Sequence, residues 1–139
     1  MDVVIVVTFL LLGEPGDTFF STVGEKLGGG ASVGIALHNF IGLSGGLLFA
    51  ILVLLIERLR IGSIKTGLLY GLGAGAATIP LGCVPMAIWL GQPVLEVVAF
   101  SVTPHLVWGL ALGWCVAFGL LYWERQGTCG QDAGPIGGY

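Results

Sequence analysis

The chain has few charged residues and lacks any cluster of basic ones. Asp, Glu, Lys and Arg together make up 9% of its 139 residues, whereas hydrophobic residues make up 55%. Soluble domains typically carry about 25% charged residues, so this composition excludes an ordinary soluble domain and indicates an integral membrane protein. The net charge is −3, and basic residues are not interleaved with aromatic ones. The sequence therefore gives no support to nucleic-acid binding.

The residue patterns of common catalytic sites are also missing. The sequence contains no Ser-His-Asp or Cys-His arrangement, no phosphate-binding loop and no paired carboxylates within an apolar segment. Its three cysteines, Cys83, Cys115 and Cys129, follow no metal-binding spacing. We therefore predict a protein that is not an enzyme, with Cys83 and Cys115 as small buried apolar residues.

What the chain does contain is four apolar segments, at residues 3–12, 31–56, 67–90 and 97–123. The last three are long enough to cross a hydrocarbon core of about 30 Å, and the first is not. We predict an all-α polytopic membrane bundle of four segments, the first one short. Residues 1–124 would form a single transmembrane domain, followed by a Gly-rich cytoplasmic tail at 126–139.

The basic residues predict the orientation. Arg58, Arg60 and Lys65 lie between the second and third segments, and Arg125 follows the fourth. By the positive-inside rule, this link and both termini are cytoplasmic, in a multi-pass protein of the cell membrane.

The chain also contains one segment twice. Residues 38–58 and 105–125 align without gaps, with identities at His38/His105, Gly42/Gly109, Leu43/Leu110, Gly46/Gly113, Ala50/Ala117, Leu54/Leu121, Glu57/Glu124 and Arg58/Arg125. Most of these identities recur every fourth residue, which places them along one face of each helix. We predict a duplicated helical hairpin, with units at about 1–58 and 67–125, related by an axis along the membrane normal.

The first copy differs from the second at its start. Its outer loop carries an insertion at about residues 17–30, for which we predict a short interfacial helix ended by the glycines at 28–30. The repeat also places Asp2 about 15 Å below the membrane surface. A lone carboxylate is costly there. We expect Asp2 to touch a partner chain, to reach water through a thinned bilayer, or to follow further residues upstream.

Small residues form a stripe in each copy. Gly42, Gly46 and Ala50 lie on the second segment at four-residue spacing, and Gly109, Gly113 and Ala117 lie on the fourth. This small-x-x-x-small pattern is typical of close transmembrane crossings. We predict that the two stripes contact each other, or that each contacts a second copy. Gly67, Gly71 and Gly75 form a third such stripe.

His38 and His105 are the candidate binding residues, predicted at equal depth near the outer surface. Two facing imidazoles suit a bis-histidine haem b or another macrocycle, although only Lys26 in the outer loops is available for propionates. A metal completed by Glu14, Asp17 or Glu96 is a second possibility. In a third, which we adopt, each imidazole bonds a loop carbonyl or a neighbouring helix and no cofactor is present.

The third segment contains two prolines, Pro80 and Pro85, with Thr78 close by. Proline inside a span frees backbone carbonyls, which line substrate sites in transporters but also occur in structural kinks. The absence of charged residues inside the three long segments places a transporter third among the functions considered.

Three stretches, "ALHNFIGLSGGLLFA", "GLLYGLGAG" and "PHLVWGLALGW", resemble a family of small four-helix membrane proteins that is frequent in halophilic archaea and has no established activity. The resemblance covers roughly residues 5–124 and implies a four-span bundle in the cytoplasmic membrane. We predict a non-enzymatic accessory or structural subunit, whose partners are the lipid bilayer and other membrane subunits or itself. The alternatives are a haem b electron carrier and, third, a small transporter.

Overall fold

A computed structural model of the chain describes residues 2–11 and 17–129. Within these ranges every regular element is helical, which confirms the predicted all-α class. The elements are α1 (Asp2–Leu11), α2 (Thr18–Lys26), α3 (Ala31–Leu55), a 3-10 turn (Glu57–Leu59), α4 (Ile64–Thr78), a π-helical segment (Ile79–Cys83), α5 (Val84–Leu90) and α6 (Val94–Cys129).

Three helical stretches of the described chain are long and apolar enough to cross a membrane. They are Ala31–Leu55, Ile64–Leu90 and Val94–Glu124, with mean hydropathies of 1.9, 1.5 and 1.7. The second stretch joins α4, the π-helical segment and α5. Helix α1, with 10 residues, extends only about 15 Å, which is half of a hydrocarbon core.

Helix α2 is the short helix predicted in the first outer loop. Residues after it form a turn in which Gly28 has a φ of 76°, a left-handed conformation that glycine adopts without strain. Helix α2 packs closely on the start of α3. The approach is so close that a Cβ on Gly34 would collide with the carbonyl of Phe20. Likewise, a Cβ on Gly24 would collide with the carbonyl of Gly30. Two glycines thus allow this contact between backbones.

The closest crossing between long helices joins α4 and α6. A Cβ on Gly71 would collide with the carbonyl of Gly109, and one on Gly113 would collide with that of Gly67. The stripe on α6 therefore packs against the third stripe, on α4. The prediction that the α6 stripe contacts the α3 stripe of the same chain was therefore wrong.

The end of the bundle that contains the α3–α4 link, here called the Arg60 end, has a small apolar core. Val53 of α3, Ile61 of the link and Ala117 of α6 are buried together there. Ser63 caps α4, because its Oγ accepts a hydrogen bond from the Thr66 amide at 3.2 Å. The opposite end, which contains α2, is called the α2 end.

Helix α6 is longer than the apolar segment predicted at 97–123. Its 36 residues extend about 54 Å, well beyond a hydrocarbon core of about 30 Å. Residues 126–129 of the predicted tail are helical, and the rest of that tail lies outside the described residues.

Candidate binding cavity between His38 and His105

Both predicted histidines line one cavity in the half of the bundle nearer the α2 end. Its volume is about 430 Å³, and it lies between α3, the π-helical segment and α6, with α1 and α2 also contributing. Most of its wall is apolar, formed by Ile5, Phe19, Ile41, Leu81, Met86, Val97, Phe100 and Trp108. The two histidines of the repeated segment therefore line the same cavity.

The ring of His38 is oriented by a carboxylate. Its Nδ1 lies 2.7 Å from Asp2 Oδ1, and the amide of Asn39 donates to Asp2 Oδ2 at 2.9 Å. A carboxylate accepts hydrogen bonds, so the hydrogen of a neutral ring is on Nδ1 and Nε2 carries a lone pair. The partner that Asp2 needs is therefore His38 of the same chain. None of the three expectations for Asp2 included this pairing.

Two phenylalanines of α2 flank the same ring. The centroids of Phe19 and Phe20 lie 5.8 and 5.5 Å from that of His38, in edge-to-face arrangements. Such geometry is favourable between aromatic rings. The His38 side chain is only 10% exposed. Helix α2 therefore fixes the plane of this imidazole.

His105 is oriented by the backbone of its own helix. Its Nδ1 lies 2.8 Å from the carbonyl oxygen of Ser101. A carbonyl only accepts, so Nδ1 carries the hydrogen and Nε2 of the neutral ring again has a lone pair. This Nε2 lies 3.7 Å from Cys83 Sγ, a weak contact. The two imidazoles therefore share one tautomer, although their partners differ.

The π-helical segment positions Cys83. Pro80 and Pro85 lack backbone N–H groups, and the backbone between them widens to a π-helix, a distortion that is frequent at functional sites. Thr78 donates its hydroxyl to the carbonyl of Gly75 at 2.6 Å. Thr78, Gly82 and Cys83 all line the cavity. The prolines thus shape one wall of this cavity.

The described residues give no support to the alternative of a metal site completed by a third ligand. Among residues 2–11 and 17–129, no three His, Cys, Asp or Glu side chains are arranged to hold a metal ion. Glu14, one of the proposed third ligands, lies outside the described residues. Cys83 is buried as predicted, but Cys115 is exposed, contrary to prediction.

A second, more open groove lies between α3 and α6, on the Arg60 side of Asp2. Its volume is about 520 Å³. Gly42 and Gly46 line it, and a Cβ on Gly46 would meet only Leu112 Cδ1, at 3.4 Å. Cys115 lines its opposite wall. The predicted packing residues of α3 thus border open space in the monomer, whereas Ala50, further along the helix, is half-buried.

The sequence identifies the two histidines as candidate binding residues, but it does not predict that Asp2 and Cys83 contact them. The repeat offered no signal for either contact, because neither residue lies in the repeated segment. Comparison with protein-family models, curated proteins and solved structures found no match to this chain.

Proposed function

We propose that this chain is a non-enzymatic integral membrane protein that binds a small, mostly apolar molecule between His38 and His105. The observation that carries the proposal is the cavity of about 430 Å³ lined by both imidazoles. Small-molecule sites typically occupy about 300–1,000 Å³ and combine apolar walls with a few placed polar groups. This cavity has both properties.

The basic residues support a multi-pass arrangement in the cell membrane with both termini cytoplasmic. In this arrangement the Arg60 end faces the cytoplasm and the α2 end faces outward. The cavity then lies in the outer half of the bilayer, where a lipid-soluble ligand has access. The duplicated hairpin, as part of this proposal, explains why two histidines at matching positions of the repeated segment meet there.

The proposal is tested by native mass spectrometry of the full chain purified in mild detergent. We expect a bound small molecule to be retained by the wild type and lost in Gly82→Phe, because Gly82 lines the cavity and a Cβ there meets nothing within 4 Å. Gly73→Phe is the matched control. A Cβ on Gly73 also meets nothing within 4 Å, and Gly73 is not among the residues lining the cavity. Equal ligand occupancy in both variants would contradict the proposal.

One observation favours the haem b alternative. Histidines that ligate metals almost always donate their other ring N–H to a carboxylate or a carbonyl, as His38 and His105 do. Two axial imidazoles would make the protein an electron carrier. An absorption spectrum of the purified protein separates this alternative from the first, because a Soret band requires bound haem.

A second observation favours an additional role as a subunit of a larger complex or homo-oligomer. The small-residue stripe of α3 borders the open groove, and such stripes pack well against another helix. We expect chemical cross-linking in native membranes to capture an oligomer that Gly46→Leu abolishes. Gly119→Leu is the control, because a Cβ on Gly119 meets nothing within 4 Å. Cross-linking unaffected by Gly46→Leu would argue against this interface.

A further inference from the structure

We propose that the ligand is an alkyl hydroquinone, which is a neutral aromatic ring with two hydroxyl donors and an apolar substituent. This inference rests on the proposed function and names its ligand class. It follows from three properties of the cavity: the hydrogen-bonding capacity of its polar atoms, its charge and the aromatic and apolar residues of its wall.

The imidazoles offer acceptors to a ligand. His38 Nδ1 is held by Asp2 and His105 Nδ1 by the Ser101 carbonyl. Each neutral ring therefore presents the lone pair of Nε2 as its remaining hydrogen-bonding group. The contact of His105 Nε2 with Cys83 Sγ, at 3.7 Å, is weak enough for a ligand hydroxyl to displace it. A matching ligand donates hydrogen bonds.

The hydroxyl groups of the wall are already committed as donors. Thr78 donates to the Gly75 carbonyl at 2.6 Å, and Ser101 donates to the Val97 carbonyl at 2.6 Å. A ligand that only accepts, such as the oxidised quinone, is left with the indole N–H of Trp108 and the weak S–H of Cys83 among the described side chains of the wall. The two imidazole acceptors therefore favour the reduced form, whose two hydroxyl groups can donate to both.

The described part of the wall carries no permanent positive charge that would pair with an anionic ligand. Among the described residues, no Lys or Arg lines the cavity, and burying an unpaired carboxylate or phosphate in an apolar space is strongly unfavourable. Fatty acids and phospholipid headgroups are thus disfavoured. Phe19, Phe100 and Trp108 supply aromatic faces and edges against which a flat ring packs well.

The test compares three ligands with the same ring substituents: an alkyl hydroquinone, its dimethyl ether and the corresponding quinone. Binding to the detergent-purified full chain is measured by titration calorimetry under anaerobic conditions. We expect the hydroquinone to bind at least about tenfold more tightly than the ether, which lacks both donors, because a hydrogen bond contributes on the order of 1 kcal/mol. We expect the quinone to bind about as weakly as the ether.

Variants identify the acceptors. His105→Phe retains an aromatic ring but removes Nε2, and we expect the hydroquinone to lose about tenfold in affinity while the ether changes little. His38→Phe is the second variant, and Gly73→Phe is the control with unchanged affinity. If His38→Phe fails to fold, the comparison of ligands on the wild type and His105→Phe still decides.

The possible failures are distinguishable. Ether and hydroquinone binding equally would overturn the ligand class while leaving the cavity as a binding site. If none of the three ligands binds, and no small molecule is retained in native mass spectrometry, both the inference and the proposed function fail. A Soret band in the purified protein would overturn the hydroquinone in favour of haem.

Discussion

The two histidines occupy the same position in a repeated segment, yet different chemistry holds them. His38 bonds a carboxylate from another helix and is flanked by two phenylalanines of α2. His105 bonds a carbonyl one turn earlier in its own helix. The carbonyl is supplied by any helix, whereas Asp2 and α2 belong to the first copy alone. Identical residues at matching positions of the two segments are thus held by different groups.

The glycine stripes differ between the copies in the same way. Gly109 and Gly113 lie in a backbone crossing with α4, whereas Gly46 meets only the tip of Leu112. Helix α4 packs along α6, whereas the corresponding face of α3 borders the open groove between α3 and α6.

The stripes predict the largest effect of a single substitution. Gly113→Leu places a side chain against the backbone of α4, where even a Cβ collides with the Gly67 carbonyl. We expect it to destabilise the protein by about 3 kcal/mol or more, since the crossing must separate. Gly46→Leu, at the matching position of the first copy, should change the stability of the monomer by less than about 1 kcal/mol, because Leu112 can move.

Unfolding in detergent, followed by circular dichroism, measures both changes. The Gly46 variant serves as the matched control, since Gly46 aligns with Gly113 in the repeated segment. Equal losses of stability in the two variants would show that both stripes are closely packed, which would contradict the difference between Gly113 and Gly46.

The hydrogen bond between Asp2 and His38 predicts the second-largest effect on stability. Asp2→Leu removes the acceptor for His38 Nδ1 and for the Asn39 amide. Leaving the part-buried His38 donor without a partner costs about 1–3 kcal/mol, and we expect a loss of stability in that range. Ser101→Ala, in the second copy, retains the carbonyl that holds His105, so its effect should stay below about 1 kcal/mol. Denaturation by a graded detergent series compares the two, and a larger loss for Ser101→Ala would reverse the comparison.

The sequence predicted those parts of the fold that depend on hydrophobic length and local spacing. The three long apolar helices and the short helix α2 follow from such patterns. The partner of each stripe could not be predicted, because three stripes with similar spacing allow several pairings. The pairing of Asp2 with His38 spans 36 residues, and no periodic signal reports a contact of that kind. The contact between Cys83 and His105 spans 22 residues and likewise produces no periodic signal.

The docking of α2 predicts a third effect, again confined to the first copy. Gly34→Ala introduces a Cβ that collides with the Phe20 carbonyl, so α2 must move away from α3 and its phenylalanines from His38. We expect a destabilisation of about 1–2 kcal/mol together with faster proteolysis near α2. Gly62→Ala is the control, because a Cβ there meets nothing within 4 Å. Unchanged proteolysis in Gly34→Ala would show that α2 tolerates the displacement.

The smallest effect is expected at the contact specific to the second copy. Cys83 approaches His105 Nε2 at 3.7 Å, and a thiol is a weak donor, so Cys83→Ala should change stability by less than about 1 kcal/mol. The same substitution frees Nε2 for a ligand, and hydroquinone affinity should stay equal or increase slightly. Cys115→Ala, at an exposed cysteine outside this cavity, controls for loss of a thiol as such. Calorimetric titration of both variants is the measurement. If Cys83→Ala weakened binding tenfold while Cys115→Ala did not, the thiol itself would contact the ligand. The site around His105 would then depend on a residue outside α6, just as His38 depends on Asp2 outside α3.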